Sequence, residues 1–547
     1  MTTLPSTLNA AAADPDRDRP GTIAASEKPA PAVAPQTVSL KTWVAVFGAT
    51  LGAFMAVLNI QIVNASLENI QGAIGAGIDD GGWISTSYLI AEIIAIPLSG
   101  YLSRMLSTRV YFVISAVGFT LASIACAGAW SLGSMVVFRV LQGFLGGGLI
   151  PASFATMFLL FPDEKKRGLP QLLGGMTTML APAIGPTFGG YITDALSWRW
   201  LFLINFIPGI ACALIVWATL DVDRPKPEML KKLDLWSVLF LAVFLGGLEY
   251  TLDDGPRHDW FDERSVLLCA IAALIGGSLF FWRGFRSDYP IIDLRAFRNR
   301  NFAVTSLVSA MLGVSIFTLV YITPVFLGQV RGYNPQQIGE VMMVQGLAMV
   351  IAAPFVMRLA SVLDPRVSIG IGLLLVAAGS WTNSLLTADW GFSQFALSQS
   401  LRGSGLIFAF IPMTNLALGT LPRHELNNAS ALYTVTRNLG GAVGLAVVAT
   451  LINQRNWTHW QALAESTRLS RPAVREGLSS MSAMLAPQLG AGSHAGAISM
   501  LAQQAYQQAS TMTYADMYFL LSISTALSVL LVPLIQKPKQ SVEGMGH

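Results

Sequence analysis

Uncharged, apolar runs of about 20 residues recur along this chain, and they decide its class of fold, because such a run spans the roughly 30 Å hydrocarbon core of a bilayer. The first is Trp43 to Val63. Hydropathy and turn punctuation place fourteen spans, near 43–66, 82–102, 109–128, 132–157, 169–191, 200–219, 235–252, 265–284, 302–328, 337–358, 367–386, 393–417, 427–452 and 513–535. Backbone polar groups inside a bilayer need internal partners, so these spans are read as helices of an all-α integral membrane protein. The charged fraction agrees, at 12% of 547 residues against about 25% in soluble domains. A formal net charge of +3 gives no reason to expect nucleic acid as a partner. Cys126, Cys212 and Cys269 each sit inside an apolar run and read as small buried side chains.

Lysine and arginine set the orientation, since they are retained on the cytoplasmic side of short loops. With the N-terminus inside, the tails and even-numbered loops carry 23 of the 34 Lys and Arg, and the opposite short loops carry four, Arg199, Arg257, Arg264 and Arg331. Both ends are therefore expected in the cytoplasm. Residues 1–42 have no apolar h-region and the composition of a disordered tail. Residues 43–220 form a first six-helix half, 221–300 an inserted helix pair with its linkers, 301–535 a second six-helix half, and 536–547 a short tail. An internal repeat supports this division. Arg139-Val-Leu-Gln142-Gly143 runs on through Pro151 to Phe161-Pro162-Asp163, and Arg402-Gly403-Ser404-Gly405 runs on through Pro412 to Leu421-Pro422-Arg423. Each span reads as opening on an arginine, carrying a glycine-rich face, reaching a proline and leaving into a polar loop. Parallel repeats of this kind are a transporter plan with the substrate site at midplane.

Gly100-Tyr-Leu-Ser-Arg104 with Arg109, Arg139-Val-Leu-Gln-Gly143 and Ala181-Pro-Ala-Ile-Gly-Pro-Thr-Phe-Gly-Gly190 resemble the loop 2/3, fourth-helix and fifth-helix signatures of the major facilitator superfamily. Ser197-Trp-Arg-Trp200, Pro290 to Phe302 and Tyr433 to Gly441 narrow the resemblance to its 14-span drug:proton antiporters, and Asn453 to Ser466 to the EmrB-type pumps. The resemblance covers residues 43 to about 535. It implies a bundle of two six-helix halves plus an inserted pair. It also implies a proton-coupled exporter of hydrophobic or amphipathic compounds in the inner membrane, working with a periplasmic adaptor and an outer-membrane channel. Two positions depart from the family pattern. Asn59 stands where an aspartate is usual, within Leu58-Asn59-Ile-Gln61-Ile-Val-Asn64, and Ser103 and Ser107 replace an aspartate and a glycine of the loop signature.

An ionised side chain at midplane costs at least a few kcal/mol unless it faces a cavity or a partner. Glu92, near the middle of the second span, is the first candidate for the exchangeable proton; the other reading is a structural Glu satisfied by a neighbouring hydroxyl. Glu249 lies close to a helix end and reads as structural. Arg139 is a fixed charge that can hold a carboxylate ionised until a proton or substrate displaces it, while Arg402 and Arg437 read as starting or stabilising glycine-rich helices. Asn59, Gln61, Asn64 and Gln142 are candidate polar groups of a substrate cavity. Gly185, Pro186, Gly189 and Gly190 would let the fifth helix bend and pack closely, as a hinge or leak seal.

No nucleotide-cradling GxxxxGK[ST] loop is present. The five histidines lack metal-ligand spacing, so neither an enzyme nor a metal or cofactor is expected. Residues 453–512 are the longest polar segment, with Trp457, Trp460, Leu463 and Leu469 among polar neighbours and a helix-competent stretch from Met500 to Ala509. They read as a docking surface for the adaptor or as a cap on the membrane interface. Missing the first-span carboxylate, the chain also admits a proton-independent facilitator or importer, and more remotely a sensor without transport.

Overall fold

The structure, a computed structural model, describes residues 39–536 except 78–79, 162–163, 288–289, 361 and 469. The readings made for the tails 1–38 and 537–547, for Pro162 and Asp163, and for Leu469 lie outside the described residues. Among the described residues the secondary structure is helical throughout. The first half holds α1 (Leu40–Ala65), α2 (Leu67–Ile74), α3 (Trp83–Leu106), α4 (Thr108–Ala127), α5 (Leu132–Gly146), α6 (Leu149–Leu160), α7 (Glu164–Ala195), α8 (Trp200–Leu203) and α9 (Phe206–Thr219). The inserted pair is α10 (Leu235–Asp254) and α11 (Arg264–Arg286). The second half holds α12 (Arg300–Gln329), α13 (Pro335–Ala360), α14 (Pro365–Asn383), α15 (Phe392–Leu418), α16 (Leu426–Ser466), α17 (Pro472–Leu489) and α18 (Ser493–Ser528).

Thirteen helical segments are long and apolar enough to cross a membrane. The fifth expected span falls on α7, a continuous 32-residue helix through Pro170, Pro182 and Pro186 that begins on the polar run Glu164-Lys-Lys-Arg167. A helix thus lies at each expected position, but α7 is not among the thirteen segments apolar enough to span. Apolar packing separates the halves. Two hydrophobic clusters, one with Phe112, Phe119 and Leu149 and one with Ile62, Met135 and Phe202, draw only on residues before 223. Two more, around Phe326 and Tyr518 and around Leu373 and Met413, draw only on residues after 300. The inserted pair is peripheral: its spans are 33% and 28% buried inside the protein, against 78% for the spans at Leu132–Leu160 and Phe392–Leu418. Such exposed apolar faces are lipid-facing by composition.

Three local readings change. The fourth span is broken, because α5 ends at Gly146 and α6 begins at Leu149. At that break the backbones crowd: a Cβ on Gly147 would lie 2.7 Å from the Glu92 carbonyl oxygen, and one on Gly148 would lie 1.8 Å from the Tyr111 hydroxyl. Arg139 and Arg402 do not open their helices; each lies well inside, in α5 and α15. Finally, 453–512 is not an irregular loop. α16 runs unbroken for 41 residues from Leu426 to Ser466, and α17 and the first half of α18 complete a helical extension. His459 pairs with Asp516 at 2.9 Å and Ser510 donates to Asn456 at 3.3 Å, which tie α16 to α18, while Gln507 donates to the Val330 carbonyl at 2.7 Å and seats the extension on α12.

Candidate functional site

Arg139 is 1% exposed and is held by acceptors from three directions. Its Nε donates to the Ile84 carbonyl at 2.9 Å, and one terminal nitrogen donates to Asn59 Oδ1 at 2.9 Å and to Gln142 Oε1 at 2.7 Å. The Gln142 amide passes the order on, donating to Ser123 Oγ at 2.7 Å. The Tyr88 ring lies 4.2 Å from the guanidinium carbon, where its negative face attracts a cation. Helices α1, α3, α4 and α5 are thus stitched at one point. Glycine makes this possible: a Cβ on Gly143 would meet the Tyr88 carbonyl oxygen at 2.3 Å.

Glu92 follows Tyr88 by one turn of α3, and the α3 backbone there touches α5 at Gly147. It is buried, yet among the described residues its carboxyl group forms no hydrogen bond and no ion pair with Arg139. The structure therefore brings Arg139, Asn59 and Gln142 into one network, with Glu92 beside it on α3. Gln61 and Asn64 are not part of that network. Gln61 is half-buried against Gly185, where a Cβ would meet its own Cβ at 2.3 Å, and exposed Asn64 accepts a hydrogen bond from Ser85 at 2.6 Å.

The two halves meet at both ends of the bundle. At the end near residue 108, a Cβ on Gly100 would lie 3.0 Å from the Asn427 carbonyl oxygen, Ser430 donates to the Pro151 carbonyl at 2.7 Å, and Phe154 packs on Phe410. At the other end Gly190 abuts Pro335 and a Cβ on Gly339 would overlap Thr187, while Gly189 packs on Ile62 of α1 within the first half. Pro186 is half-buried in the same stretch. Of the glycines singled out in the sequence, Gly100 and Gly190 lie at contacts between the halves, and Gly185 and Gly189 pack α7 on α1 within the first half.

The loop 2/3 arginines are not brought together. Arg104 donates to the Gly100 carbonyl at 3.1 Å, whereas Arg109 lies over the Trp217 ring at 5.2 Å. Ser107 has φ of +79° and ψ of 150°, a backbone region nearly reserved for glycine, at a cost of about 1–3 kcal/mol. The family's glycine at this position has a physical reason, and Ser107 offsets part of the strain by accepting the Val110 N–H at 3.4 Å. Sequence reasoning missed Asp223, which clamps the turn by accepting from the Thr108 N–H at 2.9 Å and its hydroxyl at 2.7 Å. Burial pushes the Asp223 carboxyl above its ordinary range, with the Thr108 hydrogen bonds opposing. It missed Asn427 as well, whose amide donates to the same Thr108 hydroxyl at 3.2 Å. An aspartate just past an apolar span was the available signal for the first; none existed for the second.

The inserted pair packs on both halves. Trp83 stacks on Tyr250 at 5.4 Å, Thr86 donates to Asp253, Trp260 donates to Thr450 at 3.0 Å, and Asn453 donates to the Pro256 carbonyl at 3.1 Å. Glu249 is buried in α10 with one carboxyl oxygen unpartnered.

A family model described as Major Facilitator Superfamily matches residues 49–445. The colistin resistance protein EmrB of Acinetobacter baumannii is 40% identical over 501 residues, covering 91% of this chain and 98% of that protein. The multidrug export protein EmrB of Escherichia coli is 31% identical over 77% of this chain and 82% of its own length. The fatty acid resistance protein FarB of Neisseria gonorrhoeae is 32% identical over 76% and 82%. Two solved structures share the fold at low identity: the proton:xylose symporter XylE, with a TM-score of 0.56, 13% identity and coverage of 89% of this chain and 95% of its own, and the human organic anion transporter MFSD10, with 0.53, 14%, 88% and 99%. With that family model spanning most of the chain and a relative 40% identical over 91% of it, the chain belongs to the major facilitator superfamily.

Proposed function

We propose that the protein is a proton-coupled exporter of hydrophobic or amphipathic toxic compounds, a drug:proton antiporter of the inner membrane with both termini in the cytoplasm. One observation carries the coupling: a buried carboxyl group, Glu92, beside a buried arginine whose hydrogen bonds already go to neutral acceptors. Arg139 cannot give up its proton. With Asn59 where the family has an aspartate, the movable proton falls to Glu92. Uptake of a proton there removes a charge next to the α3–α5 contact and frees the halves to rock about the glycine contacts. Gly100, Arg104 and Arg109 belong to the cytoplasmic closure; Gly185, Pro186, Gly189 and Gly190 belong to the periplasmic one. Gln61 and Asn64, with Asn59 and Gln142, supply polar groups along the substrate path. Division into 43–220, 221–300 and 301–535 follows the separation of the apolar cores.

The names of the relatives support export, and the near-complete overlap with an EmrB protein supports assembly with a periplasmic adaptor and an outer-membrane channel through the helical extension at 453–512. Exposed Trp457 and an open groove of about 590 Å3 between α17 and α18, lined by Arg475, Leu478 and His494, give that extension a surface to offer. The test is substrate-induced proton release from purified protein and from proteoliposomes. Wild type should release protons on substrate addition and Glu92→Gln should not. Release unchanged in the Gln variant moves coupling elsewhere, and no release from wild type leaves the proton-independent facilitator, the reading that the neutral Asn59 favours. Deleting 453–512 should spare vesicle transport and abolish resistance in cells with an outer membrane; loss of both identifies a structural cap.

A further inference from the structure

We propose that Arg402 forms an anion site in the second half of the bundle, where a singly charged anionic group, either a free halide-sized ion or the acidic end of an amphipathic substrate, seats against its guanidinium. Arg402 is 1% exposed, and among the described residues the Tyr518 hydroxyl is the one polar side chain that approaches its guanidinium, without a well-formed hydrogen bond. Among the described residues no ion pair reaches it. The guanidinium lines a cavity of about 10 Å3 together with Gln345, Ile316, Leu319, Val376 and Leu406. Space of that size holds one water-sized guest.

The chemistry of the guest follows from what surrounds it. A guanidinium stays charged in a protein and offers five N–H donors and no acceptor, and a lone buried charge costs several kcal/mol. A water molecule would accept a hydrogen bond and leave the charge uncompensated. The Tyr518 ring, 5.9 Å away, offsets part of it, and the Tyr518 hydroxyl is engaged with Thr323 at 2.8 Å. Nor can the side chain withdraw. Its stem is pressed on α14, where a Cβ on Gly379 would lie 2.7 Å from Arg402 Cγ, and α15 is locked to α13, where a Cβ on Gly403 would lie 2.2 Å from the Gln345 carbonyl oxygen. Gln345 is the polar residue that lines the same cavity beside the fork, and a guanidinium fork suits a carboxylate or a halide.

The free-ion source needs no transport, whereas the substrate source rests on the export reading. The experiment is thermal unfolding of the purified full-length protein in detergent at constant ionic strength, with gluconate replaced stepwise by bromide. A ligand that binds only the native state raises the midpoint by mass action. Wild type should gain a saturable rise. Arg402→Met should give none, and Arg402→Lys, which keeps the charge without the fork, should need at least tenfold more bromide. A twelve-carbon carboxylate and the matching alcohol are then compared. A rise with the carboxylate alone, lost in Arg402→Met, assigns the site to substrate head groups; a rise with bromide alone assigns it to a free ion. No rise with either anion in wild type overturns the proposal, as does a full response in Arg402→Met. Should Arg402→Met fail to fold, an unchanged half-saturating concentration in Arg402→Lys overturns it. A normal bromide response alongside absent proton release would defeat the export reading and leave the anion site standing.

Discussion

Two buried arginines occupy corresponding places in the two halves, and their surroundings differ. Arg139 is closed in by Ile84, Asn59 and Gln142, and the hydrogen bonds continue to Ser123. Arg402 is equally buried, and among the described residues it has only the Tyr518 side chain beside it and no well-formed hydrogen bond. A repeat in sequence has preserved the charge and divided its use: the first half has spent its cation on holding helices together, and the second has kept its cation open. A buried charge is therefore structural or functional according to its acceptors, which the arginine itself does not reveal.

The largest effects come from deleting each charge in turn. Arg139→Met strands three buried acceptors and should cost about 3–5 kcal/mol, read as a lower unfolding midpoint and reduced accumulation. Arg402→Met strands none and removes an uncompensated charge, so in anion-free buffer it should be neutral or stabilising by about 1–4 kcal/mol. Equal losses in the two variants would erase the distinction. Glu92→Gln comes next: gradient-driven export should fall at least tenfold, while stability stays within about 1 kcal/mol because the amide keeps the shape of the carboxyl group. Asn59→Asp sharpens the contrast by giving Arg139 the family's carboxylate, and a charge-assisted bond in place of a neutral one should add roughly 1 kcal/mol at neutral pH.

The smallest effect calibrates the comparison with an arginine at the bundle surface. Arg283 donates to Asp234 at the start of α10 and holds that carboxyl below its usual range. A depressed folded-state pKa stabilises above the unfolded value of about 3.9 and is lost as pH falls through the folded one. The midpoint of wild type should exceed that of Asp234→Asn slightly at neutral pH, and the difference should close below about pH 3.9. A large difference would mean that exposed pairs matter here as much as buried networks.

Hydropathy made the spans legible, because a bilayer punishes charge uniformly and leaves a simple pattern. Arg139, Asn59 and Gln142 stood out singly in the sequence, yet their joining into one network did not, since Asn59 and Gln142 are expected there in a substrate cavity. Ser123 was not, since a serine in an apolar helix looks the same whether it bonds to its own backbone or across to another helix. The open state of Arg402 was invisible for a related reason: it depends on which groups fail to arrive from α13, α14 and α18. Rising polarity ends the thirteenth expected span at 452, yet Trp457 and Trp460 mark only where α16 leaves the apolar zone and not where it stops.

That continuity turns α16 into a lever. Forty-one residues at 1.5 Å each make a rod of about 60 Å. One end carries Asn427, Asn428 and Ser430, which touch Gly100, the linker at Asp293 and Pro151 of the first half. The other end carries His459 and the tie to α18. If the rod tips about its middle by roughly 10°, each end travels about 5 Å, from its length. Opening at one face of the bundle would then carry the helical extension sideways at the other, because the two ends of one continuous helix cannot move independently.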